Sequence, residues 1–437
     1  MMWKTPLGQL IVLSLTFCFI QGTYNIYYGS GTFGGTDIST LVGNNVTLYA
    51  AFSVFSILSG SVQNALGPRI CIMIGGFTYM IYLGSLWYYL YSKNSVFIFI
   101  GAVIEGFGAS MSWAAAGTIL MAYPTENQKG RFFGIFWILF NLGSLIAGFL
   151  PLMNVEVNYV TIGFLCLMFI GVLTASFLAP PYQVIREDKT RVSEHSSFSI
   201  KYELRQAYHS IRSKDLLLLF PFFFYSNFFY AYRLGHLIQD SFTDRTRMFN
   251  TVTYWAAQML GAFTFGQFLD NSLVTRSKRG NMGLVFVGIF NTLTWIGCLI
   301  LELTKNSISN TLTDLIDGNY GASLVLMLLC GFTDAMVQSW CSWILGAKTN
   351  EVNILSRYGG FYKAVQSAGA AVAWYISTTD IPSWLIIVIN FGLFSVGLFF
   401  AYFATRDITD TNYHLVVGSN DEGIVIPMKT QNHDQFS

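Results

Sequence analysis

Residues 180–215 read PPYQVIREDKTRVSEHSSFSIKYELRQAYHSIRSKD. The stretch holds seven Lys or Arg and no long apolar run. On either side the chain turns apolar. Six segments long enough to cross a bilayer precede it, and six follow. A polar, basic hinge between two six-span halves is the plan of a membrane carrier.

Composition agrees. Only 11% of the 437 residues are charged, against 53% hydrophobic. A soluble domain carries about 25% charged residues, so lipid is the natural solvent for most of this surface. The formal net charge of +1 gives no footing for a nucleic-acid partner. Cys18, Cys71, Cys166, Cys298, Cys330 and Cys341 all fall inside apolar runs, without a CxxC pair, and read as small buried hydrophobes. Of the five histidines, four lie in the hinge or the tail, and none forms a ligand pair at helical spacing. No metal, no cofactor and no enzymatic chemistry are expected.

The expected plan is a six-helix bundle over residues 1–181, a basic linker over 182–214, a second six-helix bundle over 215–405 and a flexible tail over 406–437. Span 1, about Leu7 to Tyr28, is too long for a signal-peptide core and lacks a small-residue cleavage site. A Gly/Ser/Thr loop is predicted from Gly29 to Asn44, then span 2 up to the turn Gly67-Pro68-Arg69. Span 7 is predicted over Leu216–His236 and span 8 over Phe249–Leu269. In the linker, Ile200, Leu204, Ala207, Tyr208 and Ile211 share one helical face. They predict a short amphipathic helix at the membrane surface or under the two halves.

Charge orients the chain. With a cytoplasmic N-terminus, eighteen of the 24 Lys and Arg fall on the cytoplasmic side. Five fall outside (Lys93, Arg233, Arg245, Arg247 and Lys305), and Lys363 lies inside span 11. The asymmetry predicts both termini in the cytoplasm. Asn45-Val46-Thr47 is a glycosylation sequon on the outer face, close to the start of span 2. Tyr413-His414-Leu415-Val416 in the tail fits a tyrosine-plus-apolar sorting signal. The membrane is then the plasma membrane or an endomembrane, vacuolar or endosomal.

Ionisable groups within spans are the sharpest functional signal, since each costs about 2.5–3.5 kcal/mol at mid-helix on insertion scales. Three qualify: Glu105 in the outer third of span 4, Asp334 near the middle of span 10, and Lys363 in span 11. Lys363 can snorkel to the inner interface and Glu105 can reach outer water, whereas Asp334 has the least escape. Trp113 is a mid-helix indole that needs a partner. Gln338 and Gln366 are mid-span amides suited to a binding site or to interhelical hydrogen bonds. Small residues crowd span 4 and let helices approach closely. Gly106-Phe107 and Gly331-Phe332 stand 225 residues apart at corresponding points of the halves, an offset that related halves would give.

Twelve spans with short basic turns after spans 2 and 8, QNALGPR and DNSLVTRSKRG, resemble the major facilitator superfamily. GFGASMSWAAAG in span 4, GFTDAMVQSWCSWILG in span 10, FYKAVQSAGAAVAW in span 11 and the start TPLGQLIVLSLTFCFIQGTYN resemble its Unc-ninety-three-like branch, the ion-channel regulatory family. Relatives often carry a polar pair after the span 4 Trp, where this chain has alanine. The resemblance implies an all-α, twelve-helix membrane fold of two pseudo-symmetric bundles. It implies a secondary transporter of a small solute or ion by alternating access or, as the alternative, a regulatory or trafficking partner of another membrane protein. The transporter reading puts Glu105, Trp113, Asp334, Gln338, Lys363 and Gln366 around a midplane site, with the lipid bilayer as the only other required partner. A polar, convergent cavity favours transport; a filled, dry interface favours the partner role.

Overall fold

The computed structural model describes residues 4–25, 38–152, 156–192, 199–308, 312–318, 320–417 and 423–427. It is almost entirely helical. In the first half α1 (Pro6–Phe17) runs on through a π-helical turn, Cys18–Gly22. It is followed by α2 (Ile38–Leu66), α3 (Pro68–Ser92), α4 (Ser95–Ala122), α5 (Lys129–Leu152) and α6 (Val157–Ala175). The linker contributes α7 (Ile200–Ile211). In the second half α8 (Lys214–Phe228) leads into another π-helical turn, Ala231–Leu237. Then come α9 (Asp244–Leu269), α10 (Arg276–Ile308), α11 (Tyr320–Lys348), α12 (Val352–Ile376) and α13 (Ser383–Thr405). In the tail β1 (Tyr413–Val417) pairs antiparallel with β2 (Gly423–Pro427).

Local chemistry sets the helix ends. The Thr5 hydroxyl accepts from Gly8 N at 3.1 Å, and Pro6 opens α1. Gly67 holds φ at +79° just before Pro68, so the α2–α3 turn needs a residue without a Cβ. Asn94 caps α4 through Val96 N, and Ser213 caps α8 through Leu216 N. Several helices start earlier than expected, α10 at Arg276 and α12 at Val352 among them. Helix α2 begins at Ile38, inside the predicted loop, and its early turns bury Asn44, which donates to the Tyr82 hydroxyl. Helix α9 begins at Asp244, before the apolar run starts.

Nine helices among the described residues are long and apolar enough to cross a membrane. The segments that fall short are α8 with its π-helical extension, α9 and α12. They carry Asn227 and Arg233, Gln258, and Lys363 with Gln366, polar groups that lower hydropathy because they face the protein interior.

The 225-residue offset has a structural counterpart. A Cβ on Gly106 would meet Leu48 O of α2 at 2.7 Å, and one on Gly331 would meet Tyr254 O of α9 at 2.2 Å. The same helix pair closes up at the same glycine in each half.

The halves meet along α2–α12 and α5–α9. Both seams are glycine crossings: a Cβ on Gly360 would lie 2.9 Å from Gly60 N, and one on Gly130 would lie 2.5 Å from Gly266 O. Polar bonds seal the face that carries the linker. Lys129, buried, donates to Gly346 O and to Asn350 Oδ1 of the other half. Asp270 accepts from Gly130 N at 2.8 Å and Arg131 N at 2.6 Å, capping α5 from across the seam. Glu126 pairs with Arg276 at 3.1 Å.

Helix α7 packs under both halves, burying Ala207 and, in part, Ile211 of its apolar face together with Glu203. Glu203 is buried and binds Arg357 of the second half at 3.0 Å and Asn64 of the first at 3.1 Å. Leu204 and Tyr208 are about half exposed instead. The ion pair, which would be left with an unpaired buried charge if the helix rotated, outweighs burial of two apolar side chains. Arg233, read from sequence as an outer-loop charge, is fully buried in the π-helical turn. Asn45 is helical and 2% exposed, so the sequon is not presented to a glycosylating enzyme. Tyr413 lies in β1, paired with Pro427.

Candidate functional site

Between the halves lies a cavity of about 90 Å³. Glu105 and Trp113 of α4, Gln338 of α11, and Lys363 and Gln366 of α12 line it. Five of the six residues singled out from sequence thus converge. The sixth, Asp334, sits one turn before Gln338 and behind it.

The second-half wall is a closed hydrogen-bond network. The Asp334 carboxylate accepts from Tyr254 OH at 2.7 Å, Gln258 Nε2 at 2.9 Å and Gln338 Nε2 at 3.3 Å. Gln338 Nε2 also reaches Asn227 Oδ1 at 3.0 Å and Ser226 O at 2.9 Å. Its Oε1 accepts from Tyr362 OH at 2.8 Å and Gln366 Nε2 at 2.9 Å. Gln366 Oε1 then accepts from Lys363 Nζ at 2.7 Å. Both glutamines are therefore spent on scaffolding. The network crosses to the first half twice. Trp137 Nε1 donates to Gln258 Oε1 at 2.7 Å, and Lys363 Nζ sits 4.5 Å from the centre of the Trp113 ring. Trp113 thus meets a cation from the opposite half. Lys363 does not pair with Asp334; among the described residues its contacts are Gln366, Trp113 and the Tyr362 ring.

The first-half wall differs. Glu105 is 1% exposed; neither carboxylate oxygen makes a hydrogen bond of normal geometry among the described residues, but the Thr78 and Tyr79 hydroxyls lie close enough to interact with it. Gln21 Oε1, from the π-helical turn after α1, is likewise unpartnered and lines the same cavity. Tyr24 and Tyr79 line the cavity beside them, their ring centres 5.3 Å apart. Sequence placed Glu105 within reach of outer water; the structure closes it into the cavity wall.

Sequence reasoning missed several members. Arg233 donates to Cys330 O at 2.9 Å and stacks on Phe229 with its guanidinium carbon 4.2 Å from the ring centre. It is close enough to Asp334 to interact electrostatically without a direct ion pair. Trp255 lines the cavity with its indole N–H unpartnered. Each half's first helix passes the site in a π-helical turn, a deformation common at functional positions. No sequence pattern signals such a turn, but Gln258, one helical turn after Tyr254, could have been found as a mid-span polar group.

Comparison with known proteins places this geometry. The family profile described as "Ion channel regulatory protein UNC-93" matches residues 43–400. UNC93-like protein 1 of Arabidopsis thaliana is 34% identical over 424 residues, covering 93% of this chain and 92% of its own length. UNC93-like protein C922.05c of Schizosaccharomyces pombe is 33% identical, covering 98% of this chain and 89% of its own. Among solved structures, the major facilitator transporter FucP in its outward conformation aligns with a TM-score of 0.64 at 15% identity, over 91% of this chain and 98% of its own. The human organic anion transporter MFSD10 aligns with a TM-score of 0.58 at 14% identity, over 90% and 98%.

Proposed function

Because the chain belongs to the UNC-93 family and has the fold of major facilitator transporters, we propose that it is a secondary transporter of a small polar solute by alternating access. The observation that carries this is the cavity between the halves. Polar side chains from both halves converge on it among aromatic ones, and it presents the Glu105 carboxyl group from one half and the Lys363 amine from the other. Bonds between the halves close it on the linker face. Rocking about the two glycine seams would break those bonds and expose the cavity on that side.

Glu105 is the coupling candidate. An unpartnered carboxylate in a membrane interior must be neutralised, by a proton or by a cationic part of the solute. Asp334, held by three donors, is an anchor for the second-half wall. The linker face is taken as cytoplasmic, with both termini, on the strength of the charge asymmetry. The membrane is the plasma membrane or an endomembrane.

The rival reading, a non-transporting partner of a channel or receptor, draws support from the family's description. A dry, filled interface between the halves would have favoured it; the cavity does not. The test is reconstitution of the full chain in proteoliposomes. Transport requires solute accumulation that responds to an imposed pH gradient. Stable co-purification with another membrane protein, with no flux for any solute that stabilises the chain, overturns the proposal.

A further inference from the structure

The polar groups of the cavity are segregated by half. The acceptors without a hydrogen bond of normal geometry are the two oxygens of Glu105, which among the described residues have only the nearby Thr78 and Tyr79 hydroxyls and no cation beside them, and Gln21 Oε1, all from the first half. The second half offers the Lys363 ammonium, held by one hydrogen bond, and the unpartnered Trp255 N–H. Glu105 and Lys363 face one space, yet no ion pair joins them among the described residues. Each charge is therefore left for something else to balance.

Two further observations narrow that something. Two of the amides that a neutral polyol could use, Gln338 and Gln366, are already committed to one another and to Ser226, Asn227 and Tyr362. The space is also small. An apolar cavity of about 150 Å³ holds benzene, so the 90 Å³ here suits a solute of few heavy atoms. The Glu105 end is walled by Tyr24 and Tyr79, whose ring faces attract an ammonium.

We propose that the cavity selects a small zwitterion, its ammonium at the Glu105 carboxylate and its carboxylate at the Lys363 ammonium and the Trp255 N–H. This deepens the transporter reading by naming the class of solute.

The test uses the purified full chain and its melting temperature. The probes are glycine, L-alanine and L-proline. Ethylamine and propionate serve as single-charge halves, and D-xylose as a neutral polyol. The zwitterions should stabilise at concentrations at least about tenfold below either half-probe, since both buried charges are balanced at once. Glu105→Gln should abolish the advantage of the zwitterions over propionate. Lys363→Met should abolish their advantage over ethylamine, and Lys363→Arg should keep it. Monodisperse elution of each variant separates lost binding from lost folding. Equal response to zwitterion and half-probe, preference for D-xylose, or no response to any probe overturns the proposal. So does a double variant, Glu105→Gln with Lys363→Met, that regains stability lost in both singles, since the two charges would then serve only each other. Uptake into proteoliposomes separates the two readings. Zwitterion binding without flux leaves the site standing and removes transport. Accumulation of D-xylose without zwitterion binding does the reverse.

Discussion

At the scale of single residues, the two intramembrane carboxylates have different work, and their amide variants should separate it. Asp334 accepts three hydrogen bonds. Asp334→Asn turns one oxygen into a donor that faces other donors, so stability should fall by about 1–3 kcal/mol. The pH dependence of uptake should survive; a thermal melt and flux against pH check both. Glu105→Gln breaks no hydrogen bond of normal geometry among the described residues, and its remaining carbonyl oxygen can still face the Thr78 and Tyr79 hydroxyls. It should fold with nearly unchanged stability, bind zwitterions more weakly, and give a residual flux that no longer responds to a pH gradient. Sequence could find both carboxylates, with Lys363, because an ionisable group inside an apolar run is conspicuous. It ranked Asp334 above Glu105 on depth along the helix, and depth does not report how many donors surround a carboxylate. Arg233 escaped for a related reason. It follows aromatic residues near the end of an apolar run, and only the π-helical turn carries it back into the interior.

At the scale of helices, the glycines that repeat between halves invite a paired experiment. Gly106→Val and Gly331→Val each push side-chain atoms into a neighbouring backbone, Leu48 in one half and Tyr254 in the other. Each should lower stability by about 1–3 kcal/mol, as overpacking does. The double variant should add the two losses, because the sites lie in separate bundles. Melting temperatures of the three variants check this, and a silent Gly331→Val would remove the symmetry. Most helices were legible because apolar runs and turn residues such as Gly67-Pro68 mark them. The ones read less well, α8 and α9, are polar enough that hydropathy blurs their ends. The orientation of α7 was legible only in part. Ala207 and Ile211 of its apolar stripe pack inward, but the buried carboxylate of Glu203 turns Leu204 and Tyr208 outward.

At the scale of the whole molecule, orientation and closure are both testable. A C-terminal tag should resist external protease in sealed cells; cleavage from outside would reverse the assignment of the linker face. Closure should respond to pH through Asp270. Burial pushes its carboxyl up from an ordinary 3.8 to about 6, against the two backbone N–H groups that favour its ionised form. The closed arrangement therefore takes up a proton between about pH 6 and pH 4 that an opened, hydrated loop does not. Acidification through that window should favour closure, and Asp270→Asn should flatten the response. Distances between spin labels across the linker face would report it. The all-helical membrane fold of major facilitator type could be read from the sequence; the seam could not, because it depends on which glycines of distant helices meet. That seam has a kinetic consequence. Where backbone lies on backbone, as at Gly60–Gly360 and Gly130–Gly266, no interdigitated side chains must change rotamer for the halves to pivot. The contacts act as smooth bearings with little internal friction. Turnover should then be governed by how fast the polar bonds at the linker face release. Its activation enthalpy should move with Lys129 and Glu126, and hardly at all with the apolar side chains that flank the glycines.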